Sequence, residues 1–198
     1  MTAGRVVNSQ STDWCTPPKY VRAVKRFFGG EVALDPCSNE WSVVEAGTEF
    51  RLPERNGLQE EWTHHTIYVN PPYGADRERG TTIRDWLSKC AGANKCHRSE
   101  VLALIPVATN TRHWKEFIWG RATAVCFLYD TRLRFLVEGK DEGKGAPMAC
   151  AMVYWGELYE GFADVFLKFG AVVDIRPLHG KAIGERTPLR QPELFGGT

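Results

Sequence analysis

The chain has 198 residues, 43% of them hydrophobic and 25% charged, with a formal net charge of +1. That length and apolar content suit one domain with a sizeable core, and no apolar run approaches the roughly 20 residues a membrane-spanning helix needs. The overall charge neither demands nor forbids a polyanionic partner, because local clusters set the field a ligand meets.

The opening MTAGRVVNSQSTD lacks an apolar signal core, so the expected location is the cytoplasm of a bacterial or phage-infected cell. Residues 1–12 are expected to be flexible, residues 13–178 to form one domain, and the Pro-, Gly- and charge-rich residues 179–198 to form an extended tail. In "DWCTPPKYVRAVKRFFGG" a loop leads into a helix. Val21, Val24, Phe27 and Phe28 recur at helical spacing, prolines stand at the entrance, and Gly29-Gly30 stops it. "EVALDPCS" reads as a strand ending in Asp-Pro, and residues 39–60 as irregular or partly helical.

"TIYVN" predicts a second strand, closed by prolines. "TTIRDWLSKCAGA" predicts a helix with Ile83, Trp86, Leu87 and Cys90 on one face. "EVLALIPV" is a continuous apolar run, the mark of a strand buried on both faces. "TRHWKEFIWG" predicts a helix, "ATAVCFLY" and "PMACAMVYWG" strands, "YEGFADVFLKFG" a helix, and "AVVDIR" a final strand. Six cysteines show no disulfide-like spacing, so reduced thiols are expected. Cys90 and Cys96-His97 lack a second ligand pair at finger spacing, and no metal is expected.

Strands alternating with helices imply an α/β fold with a mostly parallel central sheet and helices on both faces. In such a sheet, ligands bind in the crevice beyond the carboxyl ends of the strands. The strands that stop at Asp35-Pro36 and Asn70-Pro71 would open onto one crevice.

"NPPYG", Asn70 to Gly74, asks more than a turn requires. Two prolines hold the backbone rigidly and remove two donors. The Asn70 side-chain carbonyl and the Pro71 carbonyl then present two fixed acceptors, suited to a planar amine with two N–H donors. Tyr73 offers a face for stacking a heterocycle, worth about 1–3 kcal/mol. Gly74 lets the chain turn away without a side chain in the slot. The ligand so described is the exocyclic amine of a nucleobase, or an amide nitrogen.

"NPPYG" is accompanied, in order, by "WCTPP" (14–18), "LDPCS" (34–38), "NGLQEEW" (56–62), "VLALIPVATNTRHW" and "RLRF" (132–135). This set, over about residues 12–156, resembles phage-type DNA N6-adenine methyltransferases. The resemblance implies a Rossmann-like methyltransferase fold, S-adenosyl-L-methionine as cofactor and DNA as partner. It implies that Asn70 and Pro71, with Pro72 and Tyr73, hold the adenine amine and stack on the flipped base. For the cofactor it implies Trp14, Thr16, Pro17, Asp35, Pro36, Cys37, Ser38, Asn56, Gly57, Leu58 and Asn70, with Asp35 on the ammonium or ribose. The chain departs from the commoner glycine-rich cofactor loop, since Ser38 and Asn39 stand where glycines would be expected.

A duplex adenine must be flipped out to be methylated, and phosphate contacts help offset that cost. Two loops carry candidate cations: Arg77, Arg79 and Arg84 after the NPPY motif, and Arg132, Arg134, Lys140 and Lys144 further on. The residues alone leave other planar-amine acceptors open, namely cytosine N4, RNA adenine and protein glutamine. A non-catalytic DNA-binding protein on the same scaffold is the alternative from another class.

Overall fold

The computed structural model describes residues 14–130, 133–141 and 148–180. The elements run β1 (Trp14–Cys15), α1 (Pro18–Phe27), β2 (Leu34–Ser38), β3 (Thr48–Arg51), β4 (Thr66–Val69), α2 (Ile83–His97) and β5 (Glu100–Pro106). Then follow α3 (Arg112–Trp114), which continues as a π turn over Lys115–Trp119, β6 (Ala124–Leu128), β7 (Leu136–Val137), β8 (Cys150–Trp155), α4 (Tyr159–Phe166) and β9 (Gly170–Asp174).

Local chemistry explains the helix ends. α1 starts on Pro17 and Pro18, whose missing N–H groups need no helical partner. It ends where Gly29 and Gly30 take φ of 83° and 124°, values a residue with a Cβ rarely adopts. At α2, Thr82 and Asp85 form a capping box, with the Thr82 N–H donating to Asp85 at 2.8 Å. α2 runs to His97, beyond the expected "TTIRDWLSKCAGA".

Seven strands form one sheet in the order β3-β2-β4-β5-β8-β6-β9. The pairings β3–β2, β2–β4 and β4–β5 are parallel, whereas β5–β8, β8–β6 and β6–β9 are antiparallel. The expected mostly parallel sheet is therefore corrected to a mixed one. The apolar runs of β5 and β8 signal burial on both faces but carry no direction, so sequence pattern could not reveal that β8 enters reversed between β5 and β6.

Helices do cover both faces. One core joins Ile67, Val101, Ala103 and Val153 of the sheet to Trp86, Leu87 and Cys90 of α2 and to Trp114 and Ile118. The other joins Tyr68, Leu102, Leu104 and Met152 to Tyr20, Val21 and Val24 of α1 and to Phe162 and Phe166 of α4. The strand period of two sends alternate residues of β5 into the two cores.

Three short strands arise where loop or irregular chain was expected. β3 lies within residues 39–60 as a four-residue edge strand in which only Phe50 is buried, too short for a visible pattern. β1 and β7 form a separate antiparallel ribbon, Trp14 opposite Val137 and Cys15 opposite Leu136. Among the described residues, no helix is long and apolar enough to cross a membrane. The terminal segments 1–13 and 181–198, with Arg132 and Lys144, lie outside the described residues.

Candidate active site

Parallel pairing brings the carboxyl ends of β2, β4 and β5 to one rim. β4 and β5 are in register, with Val69 opposite Ala103, so Asn70 emerges beside Leu104. A cleft at this rim is lined by Trp14, Thr16, Asp35, Cys37, Ser38 and Asn70, among others. Six of the positions expected at the cofactor thus share one wall.

The expected strand end at Asp35-Pro36 is corrected: β2 begins at Leu34 and runs on through Pro36 to Ser38, so Asp35 is buried near the start of the strand, where its Oδ1 accepts the Cys37 N–H at 3.1 Å. Burial pushes its carboxyl up to about 7, with nearby Glu49 adding and the Cys37 hydrogen bond and Arg51 opposing. Among the described residues no cation forms an ion pair with Asp35. A buried carboxylate without a cation favours a positively charged ligand. The donor set fits a cationic amino-acid head group.

Thr16 is buried, and its hydroxyl meets the Tyr68 hydroxyl at 2.7 Å. It does not cap α1, whose cap residue is Pro17. Ser38 and Asn39 are held by a short-range turn in which the Asn39 side chain accepts the Trp41 N–H at 3.0 Å. That bond gives the segment a fixed course without glycines.

Asn56, Gly57 and Leu58 pack against the same strand. A Cβ on Gly57 would sit 1.8 Å from the Pro36 carbonyl oxygen, so the two backbones meet where only glycine fits. The Asn56 side chain accepts the Leu58 N–H at 3.1 Å, and the Trp62 indole donates to the Gly57 carbonyl at 2.8 Å. Asn56 and Leu58 also line a second cleft with Leu52, Arg79 and Lys89.

At the centre, the Asn70 amide nitrogen donates to the Trp14 carbonyl at 2.9 Å. This leaves the Asn70 side-chain oxygen as the acceptor, and the Tyr73 hydroxyl lies 3.3 Å from it and 3.2 Å from the Leu104 carbonyl. Among the described residues no group donates to the Pro71 carbonyl. The Tyr73 ring is half-buried and nearly perpendicular to Trp14 and Phe135, which stack on each other at 5.1 Å. Burial raises the Tyr73 phenol well above its ordinary range, so it stays protonated. Phe135 was visible only as the end of "RLRF"; its part in this box depends on the β1–β7 ribbon, which spacing did not announce.

The candidate DNA-binding cations are placed unevenly. Arg77 is exposed at the tip of a turn closed by the Asp76–Thr81 bridge. Arg79 pairs with Asp76 at 3.0 Å, and Arg84 pairs with Glu116 at 2.9 Å. Arg134 and Lys140 are exposed around β7. Among the described residues no group of three or more His, Cys, Asp or Glu could hold a metal ion.

No curated protein matches the chain. A family model described as DNA N-6-adenine-methyltransferase (Dam) matches residues 4–173, a span that includes every site residue named above. The rim with its NPPY acceptors and buried carboxylate belongs to that matched region, and the chain is a member of the DNA N-6-adenine-methyltransferase (Dam) family.

Proposed function

We propose that the protein moves a methyl group from S-adenosyl-L-methionine to the N6 amine of adenine at specific sites in DNA, with the base turned out of the helix into the NPPY pocket. Family membership supports DNA and adenine as the acceptor class. The observation that carries the pocket is the pair of acceptors at the end of β4: the Asn70 side-chain oxygen, oriented by Trp14, and the Pro71 carbonyl, to which no group among the described residues donates.

The cofactor supplies an electrophilic methyl group on a sulfonium. Asp35 holds its ammonium or ribose, Trp14, Thr16, Cys37 and Ser38 border that end, and Asn56 to Leu58 edge its adenine. The adenine amine is a poor nucleophile because its lone pair is delocalised into the ring. Two acceptors on its hydrogens favour a pyramidal nitrogen with the lone pair aimed at the methyl carbon. They also stabilise the positive charge that grows on nitrogen, and because they are already in place they reorganise little. Alignment of the two reactants contributes further. The proton leaves after methyl transfer, so no general base is assigned.

The test is methyl transfer from isotopically labelled cofactor to DNA, RNA and peptide acceptors in parallel. Label in DNA adenine alone supports the reading. Label in cytosine, RNA or glutamine, or cofactor binding without transfer to DNA, overturns it.

A further inference from the structure

Among the described ion pairs, each carboxylate except one holds a single cation. Lys19 sits on Asp130, Arg55 on Glu60, Arg79 on Asp76 and Arg176 on Asp174. Glu116 holds two. The Arg84 guanidinium reaches Oε2 through Nε at 3.0 Å and Nη2 at 2.9 Å, while Arg112 donates through Nε to Oε1. One negative charge therefore fixes two positive ones, and the group keeps a net positive charge.

The surroundings add to that charge and hold it still. Arg84 and Arg121 both lie over the buried Phe117 ring, 5.4 Å and 5.9 Å from its centroid. Lys115 is exposed between them in sequence. Asp85, the acid next to Arg84, is turned into the α2 cap by the Thr82 N–H. The loop from β5 into α3 is pinned at its start and its middle: the Trp114 indole donates to the Pro106 carbonyl at 3.3 Å and the Trp119 indole to the Thr109 carbonyl at 3.0 Å.

Stability does not account for the arrangement. Solvent-screened ion pairs contribute little to stability, and the side chains of Arg84 and Arg112 are 43% and 78% exposed. Topology does suggest a use. Arg84 stands in the first turn of α2, directly after the NPPY loop, and Arg112 begins α3 just beyond the end of β5, the neighbour of β4. Both stand at the rim where Asn70 emerges. Guanidinium groups match phosphate oxygens with paired N–H donors, and holding them in place beforehand removes entropy that binding would otherwise lose.

We propose that Arg84 and Arg112, aligned by Glu116, form a clamp for a DNA phosphodiester beside the target adenine. The clamp rests on DNA being the substrate, and it assigns roles to Glu116 and Arg112 that no motif suggested. Glu116 is a positioning residue: it touches no DNA and acts through the two arginines.

DNA affinity of the full chain, measured by fluorescence anisotropy on a labelled duplex from 50 to 300 mM salt, tests it, with cofactor binding followed separately by calorimetry. Arg112→Ala is expected to weaken binding about fivefold near 0.15 M salt and to flatten the log–log salt slope by about 0.9, the signature of one lost phosphate contact. Arg176→Ala, on the opposite rim, is expected to leave the slope unchanged. Glu116→Gln makes the protein more positive, so a diffuse basic patch would bind DNA more tightly. The clamp predicts weaker binding. Tighter binding by Glu116→Gln, or an unchanged slope in Arg112→Ala, overturns the clamp while leaving the methyltransferase reading intact. A wild-type protein that binds cofactor but no DNA overturns both.

Discussion

The side-chain amide of Asn70 donates to the main-chain carbonyl of Trp14 at 2.9 Å, joining positions 56 apart in the chain. The bond decides which end of the amide faces the pocket. It also ties the NPPY loop to the β1–β7 ribbon. Asn70→Ala is expected to lower turnover by about two to three powers of ten, the usual effect of deleting one prepositioned hydrogen-bonding partner. Cofactor affinity, measured by calorimetry, should fall far less than turnover, because Asn70 is one of several side chains lining the cofactor cleft.

Tyr73 separates ring from hydroxyl. Its hydroxyl lies near Asn70 and Leu104, whereas its ring stands against Trp14 and Phe135. Tyr73→Phe keeps the ring and should change kcat only a few fold. Tyr73→Ala removes a stacking surface worth about 1–3 kcal/mol and should raise KM for DNA about ten- to hundredfold. Steady-state kinetics on a duplex with a single target adenine read both. Equal losses in the two variants would shift the role from ring to hydroxyl.

On the proposed reading, Asp35 should make cofactor binding depend on pH. Its folded-state carboxyl is raised from 3.8 to about 7, chiefly by burial. A cationic ligand selects the ionised form, so affinity for S-adenosyl-L-methionine should fall about tenfold per pH unit below 7 and level off above it. Folding follows the opposite sign. The protonated carboxyl favours the folded state, so its stabilising contribution is complete below about 4 and is lost as pH rises through 7. Asp35→Asn should flatten both profiles, which calorimetry and urea unfolding at pH 5 and pH 8 will show.

Gly57 is a question of space. Its missing Cβ would lie 1.8 Å from the Pro36 carbonyl oxygen, a backbone atom that cannot step aside cheaply. Gly57→Ala should destabilise the fold by about 1–3 kcal/mol and weaken cofactor binding together with it. Urea unfolding with and without cofactor measures the two effects.

What the sequence disclosed was local. Asn70 to Tyr73 stood out because rigidity, acceptors and a ring sit within four neighbouring residues, whereas Asp35 was expected at a strand end and instead lies near the start of β2, which continues through Pro36 to Ser38. The chemistry that depends on distant partners stayed hidden. Thr16 gave no local sign of its partner, and its hydroxyl meets that of Tyr68, 52 positions on. Phe135 reaches Tyr73 through a ribbon of two-residue strands, below the length at which alternation can be seen. Arg79 and Arg84 read alike as loop cations, yet one is neutralised by Asp76 while the other shares Glu116 with Arg112. The direction of β8 was equally silent, because a strand buried on both faces looks the same reversed.

The most direct test is incubation of unmethylated DNA with the protein and S-adenosyl-L-methionine, followed by digestion to nucleosides and mass spectrometry. The account predicts N6-methyladenine with the wild-type chain and its near-absence with Asn70→Ala at saturating cofactor. N6-methyladenine formed at a similar rate by Asn70→Ala would contradict the central claim that two fixed acceptors at the end of β4 prepare the amine for transfer.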